Sequence, residues 1–461
     1  MTVLFVTGRL ARPRLEAVLA AMAPPFAYEI LDIGVKVAAL MTEPILLNRL
    51  PRPLAVNRVI LPGRCRADLD RLSLTFGTRF ERGPDEVKDL PAFFGKHGGP
   101  PDLSRHDLRI FAEIVDASAL SLDALLARAR ALKASGADVI DLGCLPDTPF
   151  PHLEDAVRLL RGAGLAVSVD SADAQELRRG AASGADYLLS LTEHTLNLAS
   201  LGSARPILIP ATHGDLDSLI RAEAQARRRG LAPILDPILD PIHFGFTDSL
   251  ARYRELRARL PEAEMMMGTG NLTELTEADS AGVTALLLGI CSELRINNAL
   301  TVHVSPHTRR TVEEHDSARR LMFAAKADHS LPKGYGGALL QVHDRAPFPA
   351  SPDDIAAAAR EVKDGNFRIE VAADGLHVFN RDGYWTAHDA FSLFDKLGVE
   401  RDGAHAFYLG AELQKAEIAY RLAKRYVQDE PLDWGVAADR PPEDRTRLAQ
   451  AGHTLRAKTG A

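Results

Sequence analysis

Acids, amides and imidazoles recur in this 461-residue chain where short apolar runs stop. Such runs read as buried strands, and a polar residue at the end of one is held by a rigid element yet free to meet a ligand. In chain order the run ends offer Glu113 and Asp116, Asp141 and Asp147, Asp170, Ser190 and Thr192, Thr212 and His213, Asp236 and Asp240, Asn271, and His303. Asp170 closes Ala-Val-Ser-Val-Asp, and Asp236 closes Pro-Ile-Leu-Asp. A carboxylate in such a place is costly unless something pairs with it. Two partners suit it: the N–H groups that open a neighbouring helix, or the adjacent N–H groups of an aminopyrimidine-type ring edge. Asn271 donates and accepts, so it either reads another part of such a ring or fills a turn. Glu113 and Asp116 are oxygen donors that suit a hard cation such as Mg²⁺; solvated loop acids are the alternative. His303 holds an anion, acts as an acid, or is a packed, hydrogen-bonded ring.

The elements that must carry these residues alternate strand and helix eight times between about 105 and 325. The strands expected are Leu108–Ile114, Asp138–Gly143, Ala166–Asp170, Tyr187–Leu191, Pro206–Pro210, Pro233–Asp236, Glu264–Gly268 and Ala299–Val304. Helical patterns such as Leu122–Ser135 and Ala172–Ser183 lie between them. Ser135-Gly136-Ala137-Asp138 and Ser183-Gly184-Ala185-Asp186 are copies of one phrase, each a helix-ending glycine that leads into a strand. Eight such units in this length predict an α/β chain built on a (β/α)₈ TIM barrel, with the strand-end residues gathered at its C-terminal mouth. Met265-Met266-Met267 reads as strand core.

Two smaller domains flank the barrel. Residues 1–104 alternate strands (Val3–Val6, Tyr28–Leu31, Arg58–Leu61) with helices, as a small open α/β domain would. The stretch from Gly95 to Pro101 reads as a linker. Residues 326–440 read as an α+β domain, with a hairpin of Phe367–Val371 and Leu376–Asn380 turning at Asp374-Gly375 and a helix over Leu409–Val427. Residues 441–461 read as a loose tail.

Composition narrows the function. A net charge of −7 opposes general nucleic-acid binding, which needs a positive field. Three widely spaced cysteines (Cys65, Cys144, Cys291) form no disulfide framework and no zinc knuckle. No apolar run reaches the ~20 residues that span a bilayer, and the N-terminus does not read as a signal peptide. A cytoplasmic location without membrane or nucleic-acid partners is expected.

Several phrases resemble those of dihydropteroate synthases, the pterin-binding TIM-barrel superfamily. Gly136-Ala137-Asp138-Val139-Ile140-Asp141-Leu142-Gly143, then Ser168-Val169-Asp170-Ser171, then Gly184-Ala185-Asp186 follow that family's order. Asp236-Pro237 before Phe244-Gly245-Phe246, and Thr301-Val302-His303, are similar to later family segments. Against the pattern, the first-strand Mg²⁺-ligating Asn falls at Glu113 and the fourth-strand Asn at Ser190. The seventh-strand Lys segment falls at Gly270-Asn271-Leu272 and the last-strand Arg at Thr301. Asp236-Pro237-Ile238-Leu239 and Gly270-Asn271-Leu272-Thr273 also resemble corrinoid-dependent methyltetrahydrofolate methyltransferases, which share this barrel. The three-part layout, with Gly375–Tyr384 and Ala406–Gly410, resembles dihydropteroate synthase-like proteins of methanogens and methylotrophs.

The resemblance implies an enzyme that joins a dihydropterin-methyl diphosphate to an arylamine, in tetrahydromethanopterin or folate-type cofactor synthesis. It implies that Asp170, Ser190, Asp236 and Asn271 hold the pterin, that Glu113 helps to hold Mg²⁺, and that His303 and Asp170 serve catalysis. A homodimer is expected by the same analogy. The alternatives are a reduced-pterin methyltransferase and a non-catalytic pterin-binding scaffold. A shared barrel does not choose among them.

Overall fold

The computed structural model describes residues 2–85, 87–95 and 101–439. Residues 96–100 of the linker expected over Gly95–Pro101, and the expected tail, lie outside the described residues. By contacts the chain forms two compact units. One holds the residues up to Arg105 together with Leu321–Tyr335; the other holds His106–Arg320 and the residues from Gly336 onward.

In the first unit, strands β1 (Thr2–Thr7), β2 (Ala27–Asp32), β3 (Arg58–Leu61) and β4 (Arg79–Arg82) form a parallel sheet in the order β2-β1-β3-β4. Val3 and Phe5 pack one face, Leu4 and Val6 the other. β4 was not expected from its sequence. It reads Arg-Phe-Glu-Arg, and its one apolar side chain, Phe80, is buried while Glu81 pairs with Arg58 and Arg79.

The second unit opens with eight parallel strands: β5 (Arg109–Ile114), β6 (Val139–Gly143), β7 (Ala166–Asp170), β8 (Tyr187–Leu191), β9 (Arg205–Leu208), β10 (Ile234–Leu235), β11 (Met266–Gly268) and β12 (Asn298–Val302). Their order is β10-β9-β8-β7-β6-β5-β12-β11. A parallel bridge from Leu235 to Met265, with the Leu235 N–H donating to Glu264 O at 2.9 Å, joins the two ends. The sheet is thus a (β/α)₈ barrel. Leu300, Phe111, Val139 and Ala166 pair side by side and face the lumen with Leu189, Ile207, Ile234 and Met266. These fill the middle of the barrel, as packed side chains do in this fold. Met265, Met266 and Met267 are fully buried.

The repeated Ser-Gly-Ala-Asp phrase does the same work twice. Gly136 and Gly184 take positive φ (117° and 92°), which ends each helix. The Asp138 N–H then donates to Ile110 O while the Asp138 carboxylate accepts from the Ile110 N–H, both at 2.9 Å. Asp186 makes the same pair with Val167, both at 2.8 Å. Each aspartate therefore fixes the register of the strand that it opens. Ser121, Asp173 and Asp215 cap the helices Leu122–Ala134, Ala174–Ala182 and Leu216–Arg228.

Beyond the barrel, β13 (Arg368–Ala372), β14 (Gly375–Asn380) and β15 (Gly383–Ala387) form an antiparallel meander, packed on the helix Gly403–Arg421. The Asp374-Gly375 hairpin is present, whereas β15 was not expected. The helix expected over Leu409–Val427 starts earlier, where Asp402 caps it, and stops at Arg421 because Ala423 turns left-handed. Among the described residues, no helix is long and apolar enough to cross a membrane.

Candidate functional site

Strand register decides which residues reach the barrel mouth. Glu113 pairs with Asp141 and Val302, Asp141 with Ser168, and Gly143 with Asp170. Val302, Glu113, Asp141 and Ser168 lie one same-face step above the lumen-facing layer of Leu300, Phe111 and Val139, and Gly143 and Asp170 one step further, so they face the lumen too. The carboxylates of Glu113, Asp141 and Asp170 come together, each offering an oxygen within 4.8 Å of the others.

Among the described residues no lysine or arginine pairs with any of the three. Ser168 Oγ donates to Asp141 Oδ1. Asp141 Oδ2 is buried with no partner. Burial, then the charge of Glu113, pushes the Asp141 carboxyl up to about 7, against the Ser168 hydrogen bond. Burial raises Glu113. Burial followed by the charges of Asp141, Glu113 and Asp236 lifts Asp170 well above its ordinary value. A Cβ on Gly143 would stand 2.6 Å from Glu113 Oε1, so glycine is what lets the Glu113 carboxylate lie over β6.

The donor set fits a hard divalent cation: three carboxylates, one orphaned buried oxygen, and a glycine that keeps space for them. Without a cation the acids must share protons.

Asp236, just past β10, lies across the mouth. It is buried, and its Oδ1 accepts from Tyr253 OH at 2.8 Å and from the Ile238 N–H at 2.7 Å. Both bonds fall on one oxygen; Oδ2 lies towards Gly268, where a side chain would begin 4.0 Å away. Burial pushes this carboxyl up to about 6. Asn271, exposed at the head of a short helix, donates from Nδ2 to Leu239 O at 2.8 Å, which ties it to the loop after Asp236. Asp240 in that loop is pinned by Arg252 (2.7 Å) and His213 (2.8 Å). Ser190, the last residue but one of β8, is half-buried.

Other strand-end residues go elsewhere. Asp116 pairs with Arg128 at 2.7 Å instead of joining Glu113, and Asp147 sits exposed in the loop after β6 with positive φ. Thr301 points outward, hydrogen-bonded to Thr311 at 2.8 Å. His303 shares that outward parity. Burial lowers its imidazole, and the charges around it come from Arg128, Glu274, Glu313 and Arg309. Val302 is the residue of β12 level with Glu113, so the structure does not bring His303 to the carboxylates.

Beside the cluster, the loops after β6 and β7 enclose a cavity of about 650 Å³ lined by Cys144, Phe150, Ser171, Glu176 and Arg179 among others. Sequence reading gave no role to Tyr253 or Glu176. Their partners, Asp236 and Ser171, are known only once the helices are placed. Asp141 was visible as a strand end, and its parity with Glu113 was the usable signal.

A model for a family described as being of unknown function (DUF6513) matches residues 1–85. Over 93% of its length the chain is 26% identical to the uncharacterized protein MJ0107 of Methanocaldococcus jannaschii, covering 98% of that relative. Among solved structures it is similar to a Yersinia pestis dihydropteroate synthase with a pterine-sulfa conjugate (20% identity, 49% of this chain, 95% of that one, TM-score 0.37). It is also similar to the dihydropteroate synthase of Thermus thermophilus (23% identity, 49% of this chain, 94% of that one, TM-score 0.35).

Proposed function

We propose that the barrel mouth binds a reduced pterin and that the protein condenses a dihydropterin-methyl diphosphate with an arylamine. The observation that carries this reading is Asp236. Its carboxylate is buried, oriented by Tyr253 and the Ile238 backbone, and leaves one oxygen to accept from paired ring N–H groups. Asp170 and Asn271, from β7 and the start of the helix after β11, would complete the pterin contacts, with Ser190 beside them.

Glu113, Asp141 and Asp170 would hold Mg²⁺, which would neutralise charge on the leaving diphosphate. The protein's own part is to position. Asp236 and Asn271 fix the ring so that its exocyclic methylene faces the incoming amine. The amine nitrogen forms the new C–N bond as the C–O bond to diphosphate breaks; diphosphate leaves with the electron pair and the amine loses a proton to solvent. The barrel lowers the barrier by orientation and by placing charge. No step is assigned to His303, which follows the end of β12 and has Arg128, Glu274, Glu313 and Arg309 as its charged surroundings. On this reading the arylamine belongs to the tetrahydromethanopterin or folate branch of cofactor synthesis.

The test is a product assay with 7,8-dihydropterin-6-ylmethyl diphosphate and Mg²⁺. One reaction carries 4-aminobenzoate, the other 4-(β-D-ribofuranosyl)aminobenzene 5′-phosphate, and mass spectrometry reads the joined product. Product from the ribosyl arylamine alone supports the methanopterin branch. Product from neither, with dihydropterin still bound, refutes the synthase reading and leaves the scaffold. Glu113→Ala should abolish turnover and spare pterin affinity.

A further inference from the structure

Beyond the barrel, three side chains of the β13-β14-β15 meander form a hydrogen-bonded chain. Tyr384 OH and His377 Nδ1 stand 2.5 Å apart, and His377 Nε2 lies 2.8 Å from Asp374 Oδ1. A carboxylate only accepts, so Nε2 carries the proton of the neutral ring. Nδ1 is then left to accept from the phenol. Hydroxyl, imidazole and carboxylate follow in the order that activates a nucleophile: a base within hydrogen-bond reach, itself oriented by a third group.

The fold sets this geometry at each joint. Asp374 sits in the two-residue turn between β13 and β14. There Gly375 has φ 135°, and a Cβ on it would stand 2.5 Å from Ala387 O. Glycine lets the turn close that tightly, and the turn brings Asp374 to His377, three residues on. On β15 the residue directly opposite His377 is Thr386. Tyr384 is the diagonal neighbour, opposite Phe379, and an aromatic side chain reaches across such a diagonal. Exposure separates the two rings: His377 is 1% exposed and Tyr384 39%. A reagent from solvent therefore meets the phenol and not the base.

Other tyrosines beyond the barrel are wired differently. Tyr408 and Tyr426 donate straight to Asp429 and Glu412, both at 2.8 Å. Tyr420 OH lies 3.2 Å from Nδ1 of His388, an exposed ring with no carboxylate on its other nitrogen among the described residues.

Charge selects the reagent. Burial, then the charges of Asp374, Asp353 and Glu370, raise the Tyr384 phenol above its ordinary value. It keeps its proton at rest and gives it up only as a bond forms. Asp374, and Glu370 opposite His377 on β13, favour the imidazolium that results. The same acids repel an anionic donor such as an acyl phosphate. We propose that Tyr384 is an acyl-acceptor site for uncharged esters, with His377 as its general base and Asp374 as the residue that orients the base. The phenol oxygen bonds to the ester carbonyl carbon as its proton passes to His377 Nδ1. The C–O bond to the alcohol portion then breaks, and the leaving oxygen departs with the electron pair and takes up that proton.

The test incubates the full chain with p-nitrophenyl acetate and maps acetyl groups by mass spectrometry. Tyr384 should be acetylated at least about a hundredfold faster than Tyr420 in the same sample, the gain that a positioned base supplies. His377→Gln should remove most of that gain. Asp374→Asn, in a turn where the side chain is 53% exposed, should slow the labelling at least about tenfold. Circular dichroism checks the fold of each variant, and Asp374→Asn carries the test if His377→Gln does not fold. Acetyl phosphate should show no preference for Tyr384 over Tyr420. The proposal is overturned by acetylation of Tyr384 no faster than of Tyr420, by labelling that ignores the folded variants, or by an equal preference with acetyl phosphate.

Discussion

Glu113→Gln should make the metal-free protein more stable at pH 8 and little different at pH 5. The free carboxyl of an unfolded chain ionises near pH 4, whereas folded Asp141 keeps its proton up to about 7. Because the folded pKa is the higher, stability is intact below the unfolded value and is lost as pH rises through about 7. Three units correspond to about 4 kcal/mol at most. The larger cause is burial, which glutamine at 113 leaves in place. The charge of Glu113 comes second, so its removal should return on the order of 1 kcal/mol once Asp141 ionises. At pH 5 Asp141 is protonated and the gain nearly vanishes. Divalent ions should reverse the ranking. At a hundred times its Kd, a cation bound only by the folded state adds about 2.7 kcal/mol, and the variant forfeits much of that. Urea unfolding at both pH values, with chelator and with Mg²⁺, measures all four quantities. An equal loss of stability at both pH values under chelator, or an undiminished Mg²⁺ effect in the variant, would refute the reasoning.

Three further changes separate binding from folding. Asp236→Asn keeps the shape at the barrel mouth but removes the charge; losing a charge-assisted hydrogen bond of ~1.5–3 kcal/mol should weaken dihydropterin binding roughly tenfold to hundredfold, read by fluorescence titration, and unchanged affinity would exclude Asp236 as a ring contact. Gly143→Ala sets a methyl group 2.6 Å from Glu113 Oε1 and 3.1 Å from Val115 Cα, so Mg²⁺ affinity should fall about tenfold while crowding costs about 1–3 kcal/mol; calorimetry that finds normal Mg²⁺ binding would count against Glu113 as a ligand. Arg319→Met removes a buried guanidinium that binds Asp138, Asp316, Leu108 O and Gly136 O, and chemical unfolding should show a loss of about 3–5 kcal/mol, whereas a loss under about 1 kcal/mol would mean the network contributes little.

The barrel was legible because its signals are local. Ala166–Asp170 and Tyr187–Leu191 are strands with the bounds that their apolar runs suggest, and the two Ser-Gly-Ala-Asp phrases mark real helix-to-strand joints. Strand β10 shrinks to Ile234–Leu235, because Pro233 cannot donate to a ladder and Asp236-Pro237 turns the chain. Parity was harder. Both faces of a parallel strand are buried, so the pattern of β12 does not say whether Val302 or His303 meets the lumen; the pairing of Val302 with Glu113 does. The company a side chain keeps was least legible. Arg128 claims Asp116, and Tyr253 reaches Asp236 from a helix whose placement no local pattern fixes.

The two ends of the barrel treat their acids in opposite ways, and this contrast argues that the mouth is built for a ligand. At the N-terminal end Glu264 bonds both Arg109 and Arg205, the latter at 2.7 Å, and Asn298 donates to it as well. Burial alone would raise its carboxyl, yet the hydrogen bonds from Arg205 and Asn298 and the two guanidinium charges hold it below the usual value. Stability needs no more than that arrangement. At the C-terminal end of the barrel, Glu113, Asp141 and Asp170 stand together with no lysine or arginine paired to them among the described residues, and burial raises all three. Such a cluster costs stability in the metal-free fold. A chain able to neutralise Glu264 with two arginines could do the same at Glu113, where Gly143 instead keeps the space open. On the proposed function the missing charge would come from outside the chain, and a divalent cation bound with the substrate would supply it.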